Sequence, residues 1–99
     1  NDNTNNMPDN KQEIKIADNI PGAEYTNNAF ISHPNKDEFH LVFTNISGNT
    51  GKVVSKIITT PGHMKRLVAA MNENLKKYED AFGEIKDIPN VGQEIGFKG

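Results

Sequence analysis

The sequence predicts an α+β domain, a three- to four-stranded antiparallel sheet followed by one long C-terminal amphipathic helix. Two observations carry this. Between Glu38 and Ile46, Phe39, Leu41 and Phe43 alternate with Glu38, His40 and Thr44, the period of a half-buried strand. Between Pro61 and Phe82 the period changes. Met64, Val68, Met71, Leu75, Tyr78 and Phe82 recur every three or four residues, which places them along one face of a helix.

The elements follow in chain order. Asn1 to Lys11 is polar and aperiodic, and reads as a disordered tail, residues 1–11. A single domain over 12–85 comes next. Ile14 and Ile16 alternate with charged neighbours between Glu13 and Ala17, a short strand or edge segment, and Pro21-Gly22 marks a turn. Tyr25 to Ser32 reads as a strand with Tyr25, Ala29 and Ile31 on one face and Phe30 breaking the pattern. His33 to Asp37, containing Pro34 and Asn35, reads as a hairpin connection. After the Glu38–Ile46 strand, Ser47 to Gly51 forms a second loop.

Lys52 to Thr60 is the third strong strand. Simple alternation sends Val53 and Ile57 to one face and Val54 and Ile58 to the other. Apolar residues on both faces call for burial on both faces, yet one helix covers only one face of a small sheet. Thr60 suits the N-cap, Pro61 the first helical position, and Gly83 the stop after Phe82. A helix of this span is about 33 Å long, longer than a short strand needs, so its C-terminal half reaches for something beyond its own sheet. Residues 86–99, punctuated by Gly and Pro with scattered Ile88, Val91, Ile95 and Phe97, read as an irregular C-terminal arm.

Composition narrows the function classes. Of 99 residues 34% are hydrophobic and none is cysteine. A domain this small buries only about 60% of its unfolded surface. With no disulfide to help, self-association as a homodimer or larger is expected. Thiolate catalysis and thiolate zinc sites are excluded. Thirteen acidic and eleven basic residues give a formal charge of −2, the wrong sign for a typical nucleic-acid binder. No apolar run approaches the roughly 20 residues that span a bilayer, so the expectation is a cytoplasmic protein with no membrane partner.

The stretch from Tyr25 to Ile85 resembles family 3467 of the prokaryotic domains of unknown function. The matching residues are Tyr25 and Asn27, Ser32-His33, Phe39 and Phe43, Val54 to Ile57, Thr60-Pro61 with His63, Lys65 to Leu67, Asn74, Tyr78-Glu79 and Phe82 to Ile85. The chain departs from the pattern at Val42, where the family tends to carry an acid, and at Gly62, where it carries a better helix former. The resemblance implies a fold type and no established activity. Strands followed by a long helix are also similar, at the level of fold alone, to the SecB-like export chaperones.

No catalytic motif emerges. There is no phosphate-binding loop and no nucleophile elbow, and His33, His40 and His63 lack metal-ligand spacing. No enzyme, cofactor or metal is expected. Two kinds of site remain. Lys56, His63, Lys65 and Arg66 gather in sequence around a helix N-terminus, whose free N–H groups suit an anion or nucleic acid; the alternative is solvated charge on an ordinary first turn. Val54 and Ile58 on the sheet, and Leu75, Tyr78 and Phe82 on the helix, are the candidates for an oligomer interface. The spacing from Met64 to Phe82 also fits a 3.5-residue repeat, which is either a coiled-coil-like dimer seam or one helix packed on its own sheet. The expected function is a non-enzymatic protein-binding or scaffolding module that homo-oligomerises, in one version chaperone-like. Nucleic-acid or anion binding at the helix start is the alternative.

Overall fold

The computed structural model describes residues 12–86. Strand β1 spans Asn28–Asn35, β2 Glu38–Ser47 and β3 Thr50–Thr59, and helix α1 spans Pro61–Phe82. The strands form one antiparallel sheet in the order β1-β2-β3, and the α+β class is as the patterns predicted. The proposed tail at 1–11 and all but the first residue of the arm at 86–99 lie outside the described residues.

Both hairpins are tighter than the sequence suggested. β1 runs on through His33 and Pro34 to Asn35, leaving a two-residue turn at Lys36-Asp37. Pro34 is tolerated because β1 is an edge strand and its register slips between Ser32 and Asn35, so no ladder N–H is missed there. The Asn35 side chain accepts the Asp37 N–H at 2.8 Å and closes the turn. The second turn is Gly48-Asn49, where Gly48 has φ of 63° and, among the described residues, no non-glycine residue has positive φ. A positive φ at the first central residue alone is the demand of a type II′ hairpin turn.

The start of β1 differs from its prediction too. Tyr25 lies outside the strand and is 87% exposed. Its place is taken by a side-chain clamp. Asn27 donates from Nδ2 to the Ile46 carbonyl at 2.8 Å and accepts the Ile46 N–H at 2.9 Å, so an amide side chain imitates one rung of the ladder. Thr26 donates its hydroxyl to the Thr44 carbonyl at 2.8 Å. Upstream, Glu13–Ala17 is no strand. It pairs with neither sheet edge, and Ile14 and Ile16 stand 72% and 84% exposed.

Register assigns the faces. Leu41 pairs with Ile31 and Ile57, and Phe43 with Ala29 and Ser55, so these residues share the first face. His40 pairs with Ser32 and Ile58, and Val42 with Phe30 and Lys56, on the second. Phe30 therefore does not break the pattern; it serves the opposite face. Between Phe43 and Thr44 the β2–β3 register slips by one residue, so that Ser55 and then Val53 are partners and Val54 is the extra residue. This β-bulge corrects the simple alternation: Val53 joins Ile58 on the second face, away from Ile57.

α1 follows β3 with no loop beyond Thr60. The Thr60 hydroxyl accepts the His63 N–H at 3.2 Å, and Pro61 takes the first helical position, a cap worth about 1 kcal/mol. At the other end Gly83 donates its N–H to the Glu79 carbonyl at 2.9 Å. Lys76 and Asp80 pair at 2.8 Å along the solvent side.

The interior these elements enclose is small. Leu41, 4% exposed, is the buried apolar residue among those described, and Thr44, 3% exposed, is the buried polar one. The helix meets the sheet chiefly along β2. Its half-buried apolar residues are Met64 and Leu67, in the first two turns.

Candidate functional site

What the fold leaves open is apolar. Along the last four turns of α1, Val68, Met71, Leu75, Tyr78 and Phe82 are between 44% and 76% exposed. Beyond the helix, Gly83 adopts φ 97° and ψ 167°, and the Ile85 N–H is held by the Glu79 carboxylate at 3.0 Å. This return of the chain brings Ile85 beside Met71, Asn74, Leu75 and Tyr78, and the five line an open groove of about 480 Å³. Asn74 turns its amide onto its own helix, donating to the Ala70 carbonyl at 2.9 Å. Tyr78 and Phe82 stack at a tilt, with ring centroids 5.0 Å apart.

The sheet is open as well. Ile31 and Ile57 on its first face are 55% and 46% exposed, and Ile58 and Val53 on its second are 60% and 39% exposed. Of the interface candidates taken from sequence, Ile58, Leu75, Tyr78 and Phe82 are exposed, whereas Val54, the bulge residue, is half-buried. Ile85 was not among them. It owes its place to the backbone path through Gly83, which no hydrophobic period announces.

The polar candidates are looser. His63 uses its backbone N–H for the helix cap. The Arg66 guanidinium folds back along the first turn, where a Cβ placed on Gly62 would meet its Nη1 at 3.5 Å. A Cβ at Gly62 would thus rest in ordinary van der Waals contact with the guanidinium. No acidic residue lies in that first turn. Lys56 sits on β3 opposite Val42, and among the described residues Lys56, Lys65 and Arg66 enter no ion pair.

The histidines go separate ways. His33 meets the Phe39 ring edge-on at 5.8 Å. His40 Nε2 lies 3.0 Å from Glu38 Oε1. That contact, with the Asn35 amide at 3.4 Å from the same oxygen, holds the Glu38 carboxyl below its ordinary value of 4.5. Among the described residues no three His, Asp or Glu side chains gather into a metal-binding group.

Among the described residues no helix is long and apolar enough to cross a membrane. Neither the curated proteins nor the solved structures yield a match to this chain, so the likeness to SecB-like chaperones gains no support from a solved fold. The family model for proteins of unknown function DUF3467 matches residues 1–87. That span holds the whole sheet, the helix and the Gly83–Ile85 return, and the chain belongs to this family.

Proposed function

We propose that this protein is a non-enzymatic binding or scaffolding module that works as a homo-oligomer in the cytoplasm and engages other proteins through apolar surface, in a chaperone-like manner. One observation supports the reading above the rest: large apolar side chains stand open on both sheet faces and along α1, while Leu41 is the buried apolar residue among those described. Open apolar surface of this extent is the mark of a protein interaction site. A module needs no catalytic group to act in this way, only surface that a partner completes.

The test is sedimentation of the whole chain at micromolar concentration, alongside capture of its natural partner. A mass above the 11.0 kDa of one chain supports the reading, and a lone 11.0 kDa species at all concentrations sinks it. A second reading, anion or nucleic-acid binding, draws on the acid-free first turn with Arg66 folded over Gly62. It requires a salt-sensitive shift with DNA or RNA that charge reversal at Lys65 and Arg66 abolishes.

A further inference from the structure

We propose that the open face of α1 is one half of a two-fold seam, and that its occupant is α1 of a second copy running antiparallel. The inference rests on the self-association proposed above and names its surface and geometry. Three observations lead to it.

The first is spacing. Met64, Val68, Met71, Leu75, Tyr78 and Phe82 repeat at intervals of four and three, the 3.5-residue period of a helix–helix seam. The same series reads alike from both ends. In an antiparallel pair centred on Glu73, Met64 faces the second copy's Phe82, Val68 its Tyr78 and Met71 its Leu75, so every large residue meets a large one.

The second is charge. Beside the seam on one flank lie Lys65, Asn72 and Glu79, seven residues apart. Antiparallel pairing sets Lys65 against the second copy's Glu79 at both ends and Asn72 against Asn72 at the centre. On the other flank Leu67 meets Ala81, and Asn74 meets Asn74. Parallel pairing would match Leu67 with Asn72 and Asn74 with Glu79, and make no ion pair. Flanking charges of this kind set orientation.

The third is area. Val68, Met71, Leu75, Tyr78, Phe82 and Ile85 are each 44–76% exposed. At about 200 Å² for a large side chain, they offer on the order of 600 Å² per copy, or about 1,200 Å² for a pair, the lower bound of a stable, specific interface. The half-burial of Met64 and Leu67 fits this geometry. The end of the helix that touches its own sheet is the end that receives Phe82 from the other copy.

The chain has no cysteine, so introduced thiols report without background. Val68→Cys and Tyr78→Cys chains, mixed and mildly oxidised, should form a covalent heterodimer, and Asn72→Cys alone should form a homodimer. Val68→Cys alone should stay uncoupled, because two such positions lie about 15 Å apart along an antiparallel seam, beyond disulfide reach. Self-coupling of Val68→Cys would show a parallel seam and overturn the proposal. An oligomer that forms none of these bonds would overturn it too, and leave the self-association standing. A chain sedimenting at 11.0 kDa alone would remove both.

Discussion

Leu41 and Leu75 are the same side chain on the apolar face of a regular element, yet one is 4% exposed and the other 51%. The two regions differ in what surrounds them. β2 lies between two hydrogen-bonded neighbours and is the strand that α1 chiefly meets. Among the described residues, the Gly83–Ile85 return is what lies beside the groove in the last turns of α1. Periodicity decides which way a side chain points, and the neighbours decide whether it is buried. In the sheet the neighbours belong to the same chain; along α1 the proposed seam would supply them from another.

This contrast has a direct measurement. Leu41→Ala should cost about 2–5 kcal/mol, the range for truncating a buried leucine, and the loss should not depend on protein concentration. For a chain with so little interior that is enough to unfold much of the population. Leu75→Ala should leave the dilute chain's denaturation midpoint nearly unchanged and instead lower the sedimenting mass. Equal, concentration-independent losses at both sites would mean that the helix face is structural within one chain.

The elements were legible because their signals are local. Thr60, Pro61 and Gly83 bound the helix where the sequence places them, since a cap depends only on the residues that form it. The faces of β2 follow from alternation alone. What alternation could not reveal was the slip opposite Phe43 and Thr44. Val53 and Val54 look alike in a hydrophobic pattern, and a one-residue bulge reverses the face of everything beyond it. Glu13–Ala17 failed for a related reason. Two isoleucines with charged neighbours can form a strand only if an edge receives them, and in one chain neither edge does. The exposure of Ile58, Leu75, Tyr78 and Phe82 was legible, as apolar residues in excess of what one helix can cover. The anion candidates gained less, because nearness in sequence gave Lys56, Lys65 and Arg66 no ion pair among the described residues.

A glycine pair sharpens the contrast further. Gly83, at φ 97° and ψ 167°, occupies a region that is essentially glycine's own, where another residue costs about 1–3 kcal/mol. A Cβ there would meet nothing within 4 Å, so Gly83→Ala acts through the backbone alone. It should disturb the return that holds Ile85 against the helix and weaken association as well as stability. Gly48→Ala makes a useful reference, since φ is 63° there and the space is also open. It should loosen the β2–β3 hairpin and leave association untouched at concentrations where the chain stays folded. Identical effects of the two changes on sedimentation would remove the distinction between the regions.

The smallest expected effect belongs wholly to the sheet side. His40, and then Asn35, hydrogen-bond the Glu38 carboxylate and lower its pKa from 4.5. A lowered value means that the folded chain holds that carboxyl proton less tightly than the unfolded chain does. Glu38 therefore contributes its full share above 4.5, and the share fades as pH falls past that point and through the lower folded value. The side chain is 45% exposed, so solvent keeps the share modest. Denaturation midpoints of the native chain and of Glu38→Gln should differ at pH 7 and draw together as pH falls below 4.5 and the carboxyl takes up its proton. The difference should be the same at low and high protein concentration, because the pair lies on β2 beside the Lys36-Asp37 turn and neither residue belongs to the seam proposed along α1. A gap that grew with concentration would place this end of the sheet in the interface as well, and the seam along α1 would then be only part of how two copies meet.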